Sequence, residues 1–505
     1  MSMAEPTPDA TLALVRARLE AGAPGEALDL LRPLLATHPG HAAARFHQGV
    51  VLEALGRREA AAAAYRRTVE LAPHVPAAHY NLGGVLDDLG APGAAAQAYR
   101  RALELNPNLD KAHFNLGGAL KAMGDLEGAA ASYGRALEIA PGMVPALVNL
   151  GYILLELGRY DEAIAVLERA VAAAPSFAGA HANLGNALRA AERYDEAVAT
   201  YRRALACDPG FAEAYTNMGA ALRATGDVTG AIEAHRRAIE LRPDSVEAHV
   251  NLGIALLDQG DHQAASEACE AYLRRDPGNA RVLALKAVVL DEMGRRDEAR
   301  VLVDFDRLIQ PVQWDAPEGY DDLESFNQAL AAHILDHPTL VFAPTSHATR
   351  EGRHTGELLA EPKGPVAALE RMIDEAVRDY IRAHPAQSDH PFLADPPARW
   401  HLTVWSVVME AQGHQVPHIH PAWLSGVYYP RVPPVVSAGA DRHAGWIEFG
   451  RPGVMIPATV EPEVRAYRPE EGLMVLFPSY FYHHTVPYEA DEQRISIAFD
   501  VLRDD

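Results

Sequence analysis

The sequence predicts a multidomain protein in which an all-α superhelix of repeated helix pairs precedes a mainly-β jelly-roll domain. Proline recurs every 34 residues through the first 311 positions, and this period then stops. The remaining residues contain short apolar runs separated by glycine and proline, a pattern typical of antiparallel strands. With 49% hydrophobic and 22% charged residues among 505, the chain has enough apolar material for folded cores.

The helical part is predicted to span residues 8–311 as nine units of 34 residues. Each unit carries a proline at the same place: Pro39, Pro73, Pro107, Pro141, Pro175, Pro209, Pro243, Pro277 and Pro311. Because proline cannot continue a helix, each unit is expected to contain two amphipathic helices and to end before its proline. A glycine keeps the same step from Gly49 to Gly253. The period and the small-residue pattern resemble the tetratricopeptide repeat (TPR), which implies a superhelix with a long concave groove.

Asparagine stands two residues before this glycine in six consecutive units: Asn81, Asn115, Asn149, Asn183, Asn217 and Asn251. An amide carries both a donor and an acceptor, so a row of amides can pair with the backbone of an extended peptide. Similar asparagine rows line TPR grooves that hold protein substrates, so the resemblance implies a protein or peptide partner. The same side chains could instead cap or bridge neighbouring helices of the array.

The charge balance limits the partners that we expect. Lys and Arg number 45 against 68 Asp and Glu, which gives a net charge of −23 at pH 7. Such a chain is repelled by nucleic acid and by anionic membranes, whereas a basic partner is attracted. Two cysteines exclude a disulfide framework, and the sequence shows neither a leader pattern nor a membrane-spanning apolar stretch. We therefore expect a cytoplasmic protein with no nucleic-acid or membrane partner.

The remaining residues, 312–505, are predicted to form one mainly-β domain. Five apolar runs are the expected strands, at 400–409, 424–430, 445–450, 472–478 and 494–502. Their spacing favours an antiparallel sheet or a double-sheet jelly roll.

Histidines stand beside these runs with a spacing that predicts a metal site. His418 and His420 are two residues apart, so both imidazoles face one side of an extended chain. His483 and His484 follow the fourth run. Two ligands from one segment and one from a distant segment can hold a metal on one side and leave the opposite positions open, which suits Fe(II) and O2.

The segments PHIHPAWLSGVYY, FPSYFYHHTVP and RISIAFD resemble the family named Putative 2OG-Fe(II) oxygenase, whose fold is a double-stranded β-helix. The likeness covers about residues 315–505 and implies Fe(II), 2-oxoglutarate as cosubstrate, and O2. It makes His418, His420 and His483 the metal ligands, with His420 standing where related oxygenases usually have an acid. It assigns Arg494 to the distal carboxylate of 2-oxoglutarate and Ser496 to an added hydrogen bond. The implied activity is hydroxylation of a protein or peptide that the groove recruits.

Several alternatives stay open at this stage. His484 is a rival to His483, and His420 could stand behind the metal or contact substrate instead of binding it. Tyr428 or Tyr429 could orient the cosubstrate, since alternation turns only one of them inward. Two other functions fit the sequence: a three-histidine oxygenase acting on a small molecule without 2-oxoglutarate, and a TPR adaptor whose β domain is not catalytic. Neither the oligomeric state nor a catalytic residue beyond the metal ligands follows from the sequence.

Overall fold

The computed structural model describes residues 7–342, 348–360, 362–387, 390–437, 443–489 and 492–504. The chain divides into two compact units, residues 1–221 and 222–505. Among the described residues, no helix is both long enough and apolar enough to cross a membrane.

The first unit consists of consecutive helices joined by short turns. They are α1 (Pro8–Glu20), α2 (Pro24–Thr37), α3 (Ala42–Ala54), α4 (Arg58–Leu71), α5 (Pro76–Asp88), α6 (Pro92–Leu105), α7 (Asp110–Ala122), α8 (Leu126–Ile139), α9 (Val144–Glu156), α10 (Tyr160–Ala173), α11 (Ala178–Ala190) and α12 (Tyr194–Cys207). Helix α13 (Ala212–Ala224) crosses the boundary between the units. The second unit continues with α14 (Val228–Leu241), α15 (Val246–Gln259), α16 (His262–Leu273), α17 (Ala280–Glu292) and α18 (Arg296–Leu302).

The recurring glycine is required by close packing between the two helices of a unit. A Cβ added at Gly83 on α5 would lie 2.6 Å from Cε1 of Tyr99 on α6, and one added at Gly49 on α3 would lie 2.4 Å from the same atom of Tyr65 on α4. Both tyrosine rings are fully buried. Any larger residue at these glycines therefore pushes the tyrosine out of its place, which explains the 34-residue step of the glycine.

The prolines follow the predicted positions until the ninth unit. Helix α6, for example, ends at Leu105, two residues before Pro107. Helix α18 ends earlier, at Leu302, and Pro311 lies in strand β1 (Gln310–Gln313) at the edge of a sheet. Proline is tolerated in an edge strand because one side of such a strand has no backbone partner. The last unit thus departs from the repeat where the β-rich part of the chain begins.

The rest of the second unit is mainly β. Its other strands are β2 (Val341–Phe342), β3 (Thr349–His354), β4 (Trp400–Gln415), β5 (Leu424–Arg431), β6 (Ile447–Phe449), β7 (Arg465–Tyr467), β8 (Leu473–Pro478), β9 (His483–Thr485) and β10 (Arg494–Arg503). Its helices are α19 (Phe305–Leu308), α20 (Leu323–Leu335), α21 (Val366–Ala383) and α22 (Pro434–Ser437).

Within the described residues the strands form two antiparallel sheets. One has seven strands in the order β1-β8-β5-β10-β4-β3-β2, and the other has three in the order β7-β6-β9. All five predicted strands are present. The predicted fold class is therefore confirmed: helical TPR repeats precede an antiparallel β-rich half-barrel, consistent with a jelly roll.

One hydrophobic core joins the last helix pair to the sheets of the second unit. Ala284 on α17 and Leu302 on α18 belong to the same buried cluster as Val404 on β4 and Ile497 on β10. Helix α21 packs on this core through one apolar face that includes Leu369. Helices α17 and α18, which precede the predicted domain boundary at residue 311, thus share their core with the strands.

Candidate metal centre

A cavity lies between the two sheets of the second unit. Its walls come from β4, β5, β8 and β10 of the large sheet and from β6 and β9 of the small one. Along β10, Arg494, Ser496 and Ala498 line the cavity, whereas Ile495 and Ile497 belong to the hydrophobic core. This alternation places Arg494 and Ser496 on a common face, as their spacing predicts.

Three histidines meet at this cavity. Strand β9 carries His483, and the segment before β5 carries His418 and His420. The backbone pairs the two segments, because His418 N–H donates to the carbonyl of His483 (3.0 Å) and His483 N–H donates to that of His418 (3.1 Å). One ring nitrogen of each histidine lies within 4.8 Å of those of the other two. The structure thus brings three nitrogen donors from two separate segments to one place.

In each of these histidines, one ring nitrogen already has an oxygen partner. The Nδ1 atoms pair with oxygens as follows: His418 with Val416 O (2.9 Å), His483 with Phe481 O (3.0 Å) and His420 with Asp500 Oδ2 (3.1 Å). Because carbonyl and carboxylate oxygens only accept, we assign the proton of each ring to Nδ1. In the neutral form of each ring the lone pair then lies at Nε2, and an oxygen partner at the other nitrogen is typical of histidine ligands of metals.

The protonation state of the cluster also suits a metal. Burial, with the nearby His420 as a second cause, lowers the pKa of His418 to about 4. Burial and the neighbouring His418 hold the pKa of His483 well below its usual range. Both imidazoles are therefore neutral at pH 7, the form that binds metal ions.

Arg494 is a buried cation in the same cavity, only 1% exposed. Its Nη1 donates to the carbonyl of Gly445 and its Nη2 donates to Oγ1 of Thr485 (3.1 Å), while its Nε has no partner in the part of the chain that the structure describes. The rings of Tyr429 and Tyr488 lie 5.6 and 5.9 Å from the guanidinium carbon. Among the described residues no carboxylate forms an ion pair with Arg494. A buried guanidinium without a counter-ion fits an anionic ligand, which would supply the missing charge and accept from Nε.

The structure separates the two tyrosines that the sequence left open. Tyr429 lines the cavity, and burial raises its pKa to about 12 although Arg494 opposes this shift. Tyr428 points the other way, and its hydroxyl donates to Oδ1 of Asn327 on α20 (2.7 Å). Ser496 lines the cavity while its hydroxyl donates to the carbonyl of Val407 (3.4 Å). Tyr429 is therefore the tyrosine that faces Arg494.

His484 does not join the histidine cluster. Adjacent residues of a strand face opposite sides, so His483 faces the cavity and His484 faces away. Nε2 of His484 lies 3.7 Å from Oε1 of Glu448, the residue opposite it on β6. Glu448 is itself held by Arg451, whose Nε donates to it (2.6 Å).

Asp500 is a site residue that the sequence interpretation missed. It is 7% exposed, and its two oxygens accept from His420 Nδ1 and from the hydroxyl of Ser425 (2.6 Å). A signal for it exists in the sequence, because Asp500 lies six residues after Arg494 on one strand. An even spacing puts both side chains on the same face of β10.

The six predicted groove asparagines are all half-buried. Four donate from Nδ2 to a neighbouring side chain: Asn81 to Tyr65 Oη (3.3 Å), Asn115 to Tyr80 Oη (3.3 Å), Asn149 to Tyr133 Oη (3.4 Å) and Asn217 to Asn186 Oδ1 (3.0 Å). Asn183 and Asn251 have no hydrogen-bond partner among the described residues. Four of the six amides therefore bridge neighbouring helices, and all six stay partly accessible, so both roles that the sequence suggests remain physically compatible.

Comparison with known proteins supports both parts of the chain. Residues 403–500 match the family model described as Putative 2OG-Fe(II) oxygenase, and tetratricopeptide-repeat models match residues 12–76, 53–110, 110–143, 148–211 and 216–280. The search of curated proteins found no match.

Several solved structures are similar to the repeats. One is YrrB, described as a TPR protein with an unusual peptide-binding site (25% identity over 37% of this chain and 96% of that chain, TM-score 0.34). Another is MamA from Desulfovibrio magneticus RS-1 (24% identity, 34% and 97%, TM-score 0.32). A third is PilF of Pseudomonas aeruginosa (20% identity, 41% and 94%, TM-score 0.35).

Proposed function

Because the chain joins TPR repeats to a domain of the Putative 2OG-Fe(II) oxygenase family, we propose that it is an Fe(II)- and 2-oxoglutarate-dependent oxygenase acting on a protein or peptide that the repeats recruit. One observation carries the proposal most strongly. The Nδ1 atoms of His418, His420 and His483 all pair with oxygens, so the three Nε2 atoms are a preorganised set of possible metal ligands.

These donors suit the metal that the family uses. Imidazole nitrogen binds Fe(II) well, and His418, His420 and His483 would hold the ion through Nε2. When bound, iron supplies the reactivity towards O2 that side chains lack. The side chains of Trp405, Phe477 and other apolar residues line the cavity and exclude water from it.

Arg494 supports the same proposal from the cosubstrate side. In our proposal its free Nε and its remaining N–H groups bind the distal carboxylate of 2-oxoglutarate, and Tyr429 and Ser496 border that carboxylate. The dicarboxylate would neutralise a buried guanidinium that has no counter-ion among the residues described. A positive group in the same cavity as the histidines would also orient the cosubstrate.

The recruitment step rests on the repeats being covalently joined to the β domain. A peptide held by the half-buried asparagines would be present near the cavity at a raised effective concentration. We further propose that the protein works in a reducing, cytoplasmic setting. Its two cysteines, Cys207 and Cys269, are both free, which supports this location.

Anaerobic titration with Fe(II) and then 2-oxoglutarate tests the proposal. We expect a weak visible charge-transfer band in the wild type and a much lower 2-oxoglutarate affinity in Arg494→Ala. His483→Ala should lose iron binding, whereas the matched variant His484→Ala should retain it, because His484 faces Glu448 instead of the cavity. Iron binding without the band would favour the three-histidine oxygenase. Absence of iron binding would leave the TPR adaptor.

Substrate class needs a different experiment. Cutting the chain at residue 311 is unsuitable, because α17 and α18 share the hydrophobic core of the β domain. Substitution of Asn115 and Asn149 by alanine in the full chain is milder. If the substrate is a peptide held by these amides, its KM should rise while uncoupled succinate formation is unchanged. Unchanged turnover of every peptide tested would favour a small-molecule substrate.

A further inference from the structure

Charged residues form a second row beside the asparagines of the first unit. Seven residues after Phe46 on α3 comes Glu53, and seven after Tyr80 on α5 comes Asp87. The same position holds Lys121 on α7, the uncharged Leu155 on α9 and Arg189 on α11. A step of seven residues is two helical turns, so each charge lies on the same helix face as the aromatic or small residue before it. The row therefore changes sign along the unit, from acidic to basic.

Hydrogen bonds show that Glu53 shares its surroundings with the asparagine row. The hydroxyl of Tyr65 donates to Oε2 of Glu53 (2.9 Å) and accepts from Nδ2 of Asn81 (3.3 Å). Glutamate, tyrosine and asparagine thus form one network across α3, α4 and α5. The carboxylate is exposed, so its second oxygen can accept from a ligand.

Asp87 lies close to two buried tyrosines, Tyr99 on α6 and Tyr133 on α8. Burial and the charge of Asp87 both raise the pKa of Tyr99. Burial is the main cause that raises the pKa of Tyr133, its hydrogen bond with Asn149 opposes this shift, and the charge of Asp87 adds to it. The hydroxyl of Tyr133 accepts from Asn149 (3.4 Å). Asp87 itself has no hydrogen bond or ion pair among the described residues. Burial and the adjacent Asp88 raise its pKa, so a cation beside it would relieve an unfavourable charge.

Aromatic rings accompany the acidic end of the row. Phe46, Tyr80 and Phe114 are half-buried and pack on the buried tyrosines of their own units at 5.6–5.9 Å. By the same seven-residue step, Phe46 and Tyr80 share their helix faces with Glu53 and Asp87, whereas Phe114 shares its face with Lys121. Carboxylates next to aromatic faces suit the ammonium of lysine or the guanidinium of arginine.

The basic end of the row has different neighbours. The ammonium of Lys121 lies 4.4 Å from the ring centroid of Tyr152, and the charge of Arg189 opposes the burial that raises the pKa of Tyr201. These two cations repel a second basic group further along the face.

We infer that this face of the first unit binds an extended peptide segment that carries lysine or arginine, with the cationic side chain at Glu53 and Asp87. The asparagines pair with the peptide backbone, and Lys121 and Arg189 limit the basic stretch to one end of the segment. The inference deepens the proposed function, since it rests on recruitment of a peptide by the repeats and names the chemistry of that peptide. It agrees with the net charge of −23, which attracts basic partners.

Fluorescence anisotropy with the full chain and without iron tests the inference. The probes are Gly/Ser peptides of about twelve residues, long enough to lie extended over several repeats, with two lysines near one end or with glutamines in their place. We expect the lysine peptide to bind about tenfold more tightly than the glutamine peptide, and its affinity to fall as salt is raised.

Two double variants, one that neutralises the acidic residues of this face and one that neutralises the basic residues, give a matched comparison. Glu53→Gln with Asp87→Asn should weaken the lysine peptide about tenfold, the effect of two partly exposed ion pairs. Lys121→Gln with Arg189→Gln should leave its affinity unchanged or raise it. Equal binding of both peptides, or equal loss in both double variants, would overturn the inference.

Failure of the inference and failure of the proposed function remain distinguishable. If the glutamine peptide binds as well as the lysine peptide, the groove recruits peptides but does not select a cation. If neither peptide binds, both the inference and recruitment by the repeats are overturned. Iron and 2-oxoglutarate binding are measured without peptide, so they report on the β domain alone.

Discussion

Replacing Asp500 by asparagine tests how the protein would support a metal bound by the three histidines. Asp500 is buried, and its carboxylate accepts from Nδ1 of His420 at 3.1 Å and from Ser425 at 2.6 Å. Asparagine has nearly the same shape and can offer its one oxygen to His420. Asp500→Asn therefore removes the negative charge and keeps most of the packing.

The expected loss follows from the lost charge. A hydrogen bond to an ionised group is roughly twice as strong as a neutral one, a difference of about 1–1.5 kcal/mol. The carboxylate also makes the ring of His420 a better donor, and removal of such a partner behind a metal ligand lowers metal affinity by about 10- to 100-fold. We therefore expect metal binding to weaken by about 1.4–2.7 kcal/mol.

Competition with a fluorescent chelator measures this effect. Zn(II) is a convenient probe, because imidazole binds it and it does not react with oxygen. Glu448→Gln is the matched control, since Glu448 is an equally buried carboxylate that contacts His484 and Arg451 instead of a histidine of the cluster. We expect the control to keep its Zn(II) affinity within about threefold, an effect below 1 kcal/mol.

Two outcomes would refute this reasoning. Unchanged Zn(II) affinity in Asp500→Asn would mean that the carboxylate does not support a ligand. Equal losses in Asp500→Asn and Glu448→Gln would mean that the site responds to general destabilisation. Circular dichroism of both variants checks that the fold is retained.

Three further predictions concern the repeats. His235 on α14 is fully buried, neither of its ring nitrogens has a hydrogen-bond partner within the described ranges, and burial lowers its pKa from 6.5 to about 4. Between these pH values His235 is protonated in the unfolded state but not in the folded state, so the free energy of unfolding falls as the pH drops from 6.5 to 4. His235→Leu should remove about 3 kcal/mol of that fall, and Tm should then depend less steeply on pH. Gly83→Ala should lower the free energy of unfolding by about 1–3 kcal/mol, and with it Tm, because the new Cβ clashes with the ring of Tyr99. The matched variant Gly84→Ala should raise Tm slightly, because its Cβ would lie 3.8 Å from the hydroxyl of Tyr99, an ordinary contact, and alanine favours the helix. Asn149→Ala should cost less than about 1 kcal/mol in thermal unfolding, because its hydrogen bond is long and half-exposed, yet weaken peptide binding.

Much of the fold follows from local patterns. Gly83 and Pro107 each belong to a series that repeats every 34 residues. The glycine is required by packing between the two helices of a unit and the proline marks a helix end, and both depend on residues nearby in sequence. The five strands follow from apolar runs between turn residues. The end of the ninth unit does not follow, because Pro311 pairs within β1 opposite Val475, more than 160 positions away.

The candidate site shows the same limit. Spacing by two residues places Arg494 and Ser496 on one face without any knowledge of tertiary structure. The choice between His483 and His484 depends on which side of β9 faces the cavity, and that is set by pairing with β6. The contact between Asp500 and His420 depends on the tertiary fold, which brings β10 next to a histidine 80 positions away in sequence. The roles of these residues in metal and cosubstrate binding remain proposals.

The joint core of α17, α18 and the sheets has a consequence for how such a chain can vary. Helix pairs nearer the N-terminus pack mainly on adjacent pairs, so insertion or loss of a whole 34-residue step leaves each remaining contact of the same kind. The ninth pair cannot be inserted or lost in this way, since α17 and α18 contribute side chains to the hydrophobic core of the β domain. The length of the array, and with it the reach towards a partner, can therefore change without disturbing the histidine cavity.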